Sequence, residues 1–322
     1  MKQAIITGAT GFIGSHLSNF LAYHGIKVYA LGRKKINEVP NTTFIKSDLI
    51  HYVNVSMQDI SMLPNILINE METLDDCVFF NFAWGGSNGL SDLDVEAQLN
   101  NALWTLDAYN VAANLKCSKF IHVGTMEEAF ADKYLLKDFH GDNDYNRHLI
   151  YSIAKRTSRN LLKTIYHSGG PDLIIASNSH IMGPNDRRDS FLTTVMRHIV
   201  ENKPLNLTSC IQNFDVVSVY DCVRAYKLIA EKGINKSEYW IGSGKPQQLK
   251  KYVTTMVNMY SPAIELNFGS MPYNDVILDL DTFSPCKLNN DTGFTCKQSY
   301  EDAVRDLYQF VANGIITSHY EL

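Results

Sequence analysis

A chain of 322 residues with 45% hydrophobic side chains and a net charge of -5 is long enough for one large α/β unit and a smaller lobe. It has no basic footprint for nucleic acid and no apolar run that would span a bilayer, so neither partner is expected. The six cysteines lie far apart and the ten histidines are scattered, which argues against zinc or dithiol chemistry. Asp142-Asn143-Asp144 leaves the calcium-loop pattern after three residues, so no metal is expected. Met1 leads straight into an apolar strand, and the chain reads as a reduced, cytoplasmic protein without a secretory leader.

Residues 2–7 form a short apolar strand, followed by Thr7-Gly8-Ala9-Thr10-Gly11-Phe12-Ile13-Gly14 and a helix carrying Ile13, Leu17, Phe20 and Leu21 at helical spacing. Glycines at 8, 11 and 14 let the turn close, let backbone approach a pyrophosphate and let the helix pack on the sheet. The unpaired N–H groups and positive dipole end of that helix favour phosphate. Gly8, Thr10, Gly11, Phe12, Ile13 and Gly14 are therefore expected to hold a dinucleotide. The second strand covers residues 27–31. After it, where a carboxylate would bond an adenosine ribose, the chain reads Gly32-Arg33-Lys34-Lys35. Arg33 suits a 2′-phosphate, which favours NADP, with NAD as the alternative.

Strand and helix signals then alternate as a doubly wound parallel (Rossmann) sheet requires. Strands are expected over residues 43–46, 77–82, 119–123 and 173–176, with long helices over 92–114 and 147–167. Ser168-Gly169-Gly170-Pro171 stops the second of these. Beyond Gly183-Pro184 the alternation loosens. Ser190 and Asp221 are expected to cap helices, 216–219 and 239–241 to form strands, and 248–258 and a segment from Ser299 to be helical. The organisation expected is a dinucleotide-binding domain over 1–180 and a smaller substrate-binding lobe over 181–322, with segments near 215–244 returning to the main sheet. The ligand crevice is expected between the two, at the carboxyl ends of the strands.

Tyr151-Ser152-Ile153-Ala154-Lys155 places a phenol and an ammonium one helical turn apart. The lysine favours the phenolate, and such a tyrosine can give a proton to a carbonyl oxygen or take one from an alcohol. Tyr23 and Lys27 repeat the spacing but straddle a helix end, so they share no face.

These features together resemble the extended short-chain dehydrogenases/reductases that modify nucleotide-activated sugars, the NAD-dependent epimerase/dehydratase family. The resemblance rests on residues 7–14, Asp48-Leu49, Asn81-Phe82-Ala83, Asn101 with Thr105, residues 120–127, Tyr151 with Lys155, Gly183-Pro184 and Ile241-Gly242-Ser243-Gly244. It implies that Asp48 contacts the adenine, with Leu49, Ala83 and Asn101 also at the cofactor. It implies that Lys155 bonds the nicotinamide ribose beside Tyr151, and that Thr125 bonds the reacting sugar oxygen. Trp84, Met126, Glu127, His180, Arg187 and Arg188 are the expected substrate contacts. The chain departs from the family pattern at Gly124, where serine is usual, at His180 and Met182, which replace asparagine and tyrosine, and at Phe214, which replaces arginine.

The function expected is NADP-dependent reduction of a keto group of a nucleoside-diphosphate sugar, with C4 as the favoured carbon. An NAD-dependent 4-epimerase is the alternative. A 4,6-dehydratase using Glu127 and a non-catalytic dinucleotide-binding regulator rank below it. The resemblance also implies a homodimer formed through the helices over 92–114 and 147–167.

Overall fold

The computed structural model describes residues 1–69, 74–86, 93–134, 149–167, 169–186, 190–272 and 276–321. They form two compact units, Met1–Ser177 with Ala225–Tyr239, and Asn178–Arg224 with Trp240–Leu322. In chain order the elements begin β1 (Gln3–Thr7), α1 (Phe12–Tyr23), β2 (Lys27–Gly32), β3 (Ile50–Asn54), α2 (Leu63–Asn69), β4 (Cys77–Asn81) and α3 (Val95–Asn114). Then come β5 (Lys119–Thr125), α4 (Glu127–Tyr134), α5 (Leu149–Ile165), β6 (Asp172–Asn178), β7 (His180–Met182), α6 (Phe191–Val200), β8 (Leu205–Leu207) and β9 (Asn213–Phe214). The chain closes with β10 (Val216–Ser218), α7 (Val219–Lys232), β11 (Glu238–Ile241), β12 (Gln247–Gln248), α8 (Leu249–Tyr260), β13 (Leu266–Phe268), α9 (Cys286–Thr292) and α10 (Tyr300–Asn313).

The first unit is built on a seven-stranded sheet in the order β3-β2-β1-β4-β5-β6-β11. The β1/β2, β2/β3, β1/β4 and β4/β5 pairs are parallel. Strands covered on both faces need no polar side, and β1 and β4 are accordingly continuous apolar runs, with Ala4, Ile5, Ile6, Phe79 and Phe80 fully buried. Each such large side chain contributes about 1.5–3 kcal/mol of burial. Strand order reverses between β1 and β4, and a crevice for ligands opens outside the carboxyl ends of strands at such a reversal.

The third strand is not where the sequence suggested. Residues 43–46 run alongside α1 because the Asn19 amide takes their backbone: Nδ2 donates to Thr43 O at 3.1 Å and Oδ1 accepts from Ile45 N at 3.0 Å. The strand is Ile50–Asn54, with Ile50 beside Val28 and Asn54 beside Gly32. This reverses the expected position of Asp48 and Leu49. They precede β3, Leu49 O accepting from Val28 N at the amino edge of the sheet, and Asp48 is exposed there. The glycine-rich turn lies at the opposite, carboxyl edge, so Asp48 and Leu49 are withdrawn as cofactor contacts. Val55-Ser56-Met57 occupies the carboxyl end of β3 instead, with Ser56 Oγ donating to Asp59.

Asp94 caps α3 by accepting from Ala97 N at 2.9 Å; Asp92, where the helix was expected to start, lies outside the described residues, as do Arg147 and Ser168. Leu106 of α3 packs against the core, but Leu99 and Leu103, which share its helical spacing, do not. Gln98, Asn101, Ala102, Thr105, Ala108, Tyr109 and Ala112 turn inward, whereas Val95, Leu99 and Leu103 are 44–56% exposed. No helix among the described residues is long and apolar enough to cross a membrane.

In the second unit β7 pairs with β10 and β8 with β13, both parallel, and α6, α8 and α10 share an apolar core with Leu192, Met196, Val253, Met256, Val304 and Leu307. Buried Asp215 accepts from Ser179 Oγ at 2.7 Å, from Ser243 N at 2.9 Å and from Ser243 Oγ. A Cβ on Gly242 would stand 2.2 Å from Asp215 Oδ2. Ile241-Gly242-Ser243-Gly244 is thus a clasp around a carboxylate. Asp221 lies within the first turn of α7 rather than capping it; its carboxylate accepts from Lys297 N, Gln298 N and Arg224.

Candidate active site

At the carboxyl end of β1 the chain turns through Gly8, whose φ of +65° is costly for any residue with a Cβ. A Cβ there would also stand 3.0 Å from the Ala83 backbone after β4, and one on Gly14 would stand 2.3 Å from Gly8 O. Both glycines are therefore required by close backbone approach, as the sequence pattern implied. Gly11 caps α1 with no side-chain hydrogen bond, and no acidic residue sits in its first turn. A helix start without competing side chains or negative charge fits a dinucleotide pyrophosphate.

Arg33 follows β2 directly and is exposed. Its loop is pinned from β3: Tyr52 Oη donates to Lys34 O at 2.6 Å, and Asn54 Nδ2 donates to Lys34 O at 2.8 Å. Glu38, the carboxylate of this loop, accepts from Lys35 N at 2.9 Å. A Cβ on Gly32 would meet Tyr52 Oη at 2.5 Å and the Thr10 methyl at 3.2 Å, so this loop and the glycine-rich turn adjoin.

Behind the turn runs a buried polar chain that joins three of the sequence motifs to α5. Thr7 Oγ1 donates to Asn81 Oδ1 at 2.9 Å and accepts from Phe82 N and Ala83 N, both at 3.0 Å. Asn81 Nδ2 reaches His122 Nδ1 at 3.3 Å, His122 Nε2 lies 3.1 Å from Ser158 Oγ, and that hydroxyl donates to Lys155 O at 2.7 Å. With Asn81 donating, His122 carries its proton on Nε2. Burial, reinforced by the Lys155 and Arg159 charges, holds its pKa well below the usual value, so the ring is neutral. The chain ties the ends of β1, β4 and β5 to α5. Asn101 acts similarly. It accepts from Gly85 N at 2.6 Å and donates to Gly85 O and Ala97 O, so its amide is committed to the loop after β4. Asn101 thus holds that loop in place.

Tyr151, Lys155 and Arg159 form a stripe along α5 at intervals of four residues. Lys155 is 4% exposed and Tyr151 8%. Lys155 Nζ donates to Val123 O at 3.0 Å and sits 4.0 Å from the centroid of the Trp84 ring. The Tyr151 ring meets the same indole edge-on at 6.0 Å, and Trp84 Nε1 donates to Gln98 at 2.7 Å. Trp84 is thus packed against the phenol–ammonium pair. Burial pushes the Lys155 ammonium down to about 8, opposed by the Glu128 carboxylate.

At the end of β5, Thr125 Oγ1 accepts from Glu127 N at 3.3 Å, which leaves its O–H able to donate. Met126 is buried and Glu127 half-buried at the start of α4. Buried Glu128, which no sequence motif marks, accepts from Thr125 N at 3.1 Å. A Cβ on Gly124 would stand 2.9 Å from Glu128 Oε1 and 2.5 Å from Ser177 Oγ. The glycine at 124 and the glutamate at 128 are therefore complementary.

In the second unit, two departures from the family pattern touch each other. The rings of His180 and Phe214 lie 5.4 Å apart, and His180 N donates to Asp215 O. Met182 is buried. Arg187, Arg188 and residues 142–144 lie outside the described residues.

A glycine-rich turn at the reversal of a parallel sheet, beside a buried tyrosine–lysine pair, is the arrangement of an extended short-chain dehydrogenase/reductase. The chain belongs to the NAD dependent epimerase/dehydratase family, whose model matches residues 4–242, and it is an enzyme of that type. Among curated relatives, CDP-abequose synthase of Salmonella muenchen is 24% identical over 279 residues, covering 85% of this chain and 86% of that protein. UDP-glucose 4-epimerase of Thermotoga maritima, solved with UDP-glucose, aligns with a TM-score of 0.74 at 20% identity, covering 96% and 98% of the two chains. RMD from Pseudomonas aeruginosa, solved with NADPH, aligns at 0.72 and 17% identity, covering 98% and 100%.

Proposed function

We propose that this enzyme uses NADPH to reduce a keto group, at C4, of a nucleoside-diphosphate sugar. The observation that carries the reading is the buried Tyr151–Lys155 pair, its ammonium titrating near the working pH. The relative that makes CDP-abequose and the neighbours solved with UDP-glucose and with NADPH support the substrate and cofactor classes. The turn from Gly8 to Gly14 with the start of α1 holds the pyrophosphate, Arg33 the 2′-phosphate and Lys155 the nicotinamide ribose. When bound, NADPH supplies the hydride. Tyr151 gives its proton to the oxygen of the keto group, Thr125 O–H orients that oxygen, and the Lys155 charge lowers the cost of leaving a phenolate behind. The enzyme works in the cytoplasm.

Incubation of the enzyme and NADPH with a panel of nucleotide 4-keto-sugars tests this. Net oxidation of NADPH by one of them is expected. Interconversion of ordinary nucleotide sugars without added cofactor would assign the 4-epimerase instead, a reading the Thermotoga neighbour favours. Cofactor choice is a separate expectation. NADP(H) should bind more tightly than NAD(H), and Arg33→Asp should reverse the order, a charge-assisted contact being worth about 1.5–3 kcal/mol. Titration of both cofactors against both proteins reads this directly; an NAD preference in the native protein would withdraw Arg33.

The exposed stripe Val95, Leu99 and Leu103 beside α5 supports a homodimer through α3 and α5. Light scattering at micromolar protein is expected to give the dimer mass, and Leu103→Glu to give the monomer. A native monomer would reject this interface.

A further inference from the structure

We propose that Glu128 is a positioning residue for the proton-transfer pair: its buried carboxylate grips Thr125 N at the end of β5, the strand whose Val123 O holds the Lys155 ammonium, and is that ammonium's counter-charge. The inference rests on the reading of Tyr151 and Lys155 given above but makes a separate claim about α4. Glu128 is 4% exposed. Its Oε1 accepts from Thr125 N, and Oε2 faces Arg159 Nε at 3.4 Å; neither of these last two atoms has a hydrogen-bond partner among the described residues. An ion pair at that separation is poorly suited to offset the desolvation of a carboxylate. Two neutral residues of the right volume would serve stability as well, so the charge itself calls for a role.

The surroundings of Lys155 show what the charge does. From its own helix it is flanked by Tyr151 and by the like charge of Arg159. β5 contributes His122, which is neutral, and the loop after β4 contributes the uncharged Trp84 ring. On α3 the only titrating residue among those turned inward is Tyr109, which burial keeps protonated. On α4, Asp132 is paired with Arg156 at the surface, and Glu127 is half-buried. Glu238 on β11 is engaged by Arg159 and Lys163. Glu128 is the carboxylate that opposes the loss of the Lys155 proton. Without its charge, burial acts unopposed, and Lys155 becomes neutral at a lower pH.

The test is the pH titration of the Lys155 Cε resonance in protein labelled with carbon-13 lysine, read by NMR and assigned with Lys155→Met, because the shift follows the charge of the amine and needs no reagent at a 4%-exposed side chain. The native protein and Glu128→Asp, which keeps the charge, are expected to share a midpoint near 8. Glu128→Gln keeps an acceptor for Thr125 N but drops the charge, and its midpoint should move to lower pH. The alkaline limb of keto-sugar reduction should move with it, with several-fold lower turnover above pH 8. Glu128→Met, a neutral side chain of similar volume, should move the midpoint in the same direction if Glu128→Gln does not fold. Equal midpoints in every folded variant would overturn the proposal and leave Glu128 a structural group. The NMR arm is readable without turnover, so failure of the keto-sugar panel would count against the function and not against Glu128.

Discussion

Tyr151→Phe is expected to fold, to bind NADPH with native affinity and to lose about 100- to 10,000-fold in hydride transfer, the usual worth of a positioned acid. The substitution removes one hydroxyl and keeps the ring that meets Trp84 edge-on, so packing around the 8%-exposed side chain is conserved. The effect should fall on the chemical step alone, which single-turnover measurement separates from binding and release. Thr125→Val makes a graded comparison: it deletes an orienting hydrogen bond while the proton donor stays, and its loss should be smaller.

Lys155→Met should fail in two ways at once. Turnover falls on the same scale as for Tyr151→Phe, because the phenol loses its neighbouring charge. NADPH binding also weakens, by about 1.5–3 kcal/mol, for the lost ribose contact. The same substitution has a signature in stability. The Lys155 pKa is lowered from 10.5 to about 8 on folding, so between these values the unfolded chain binds more protons than the folded one. The cost of burying the charge is therefore complete below pH 8 and disappears as pH rises to 10.5. Relative to Lys155→Met, the native apoprotein should gain about 3 kcal/mol over that window, at about 1.4 kcal/mol for each pH unit that separates the folded and unfolded titrations. Denaturant titrations at the two ends of the window measure it, and parallel stabilities would mean that Lys155 is not desolvated.

The glycine-rich turn and the tyrosine–lysine pair were legible because their signals are local. Gly8 and Gly14 are demanded by backbone contacts within one turn, and the Tyr151–Lys155 spacing needs only a helix. What escaped reading depends on partners distant in the chain. Residues 43–46 have strand-forming composition, and only the Asn19 amide, about two dozen positions earlier, denies them a ladder. That slip carried Asp48 to the wrong edge of the sheet. Leu99 and Leu103 of α3 have the spacing of a buried face with Leu106, yet they face outward and the small and polar face turns inward, where Asn101 clasps the loop after β4. Glu128 carried no motif, and its pairing with a missing side chain at 124 is visible only in three dimensions. The Thr7–Asn81–His122–Ser158 chain likewise joins residues up to about 150 positions apart.

Above all, Tyr151 and Lys155 are held to serve net reduction of a nucleotide keto-sugar. Mixing stoichiometric enzyme–NADPH complex with nucleotide 4-keto-sugars, and following nicotinamide absorbance in a single turnover, tests this most directly. One keto-sugar is expected to oxidise the bound NADPH, to yield the corresponding hydroxy-sugar, and to do so about 100- to 10,000-fold more slowly in Tyr151→Phe. NADPH left intact by every keto-sugar, or transfer at the native rate in Tyr151→Phe, would contradict it.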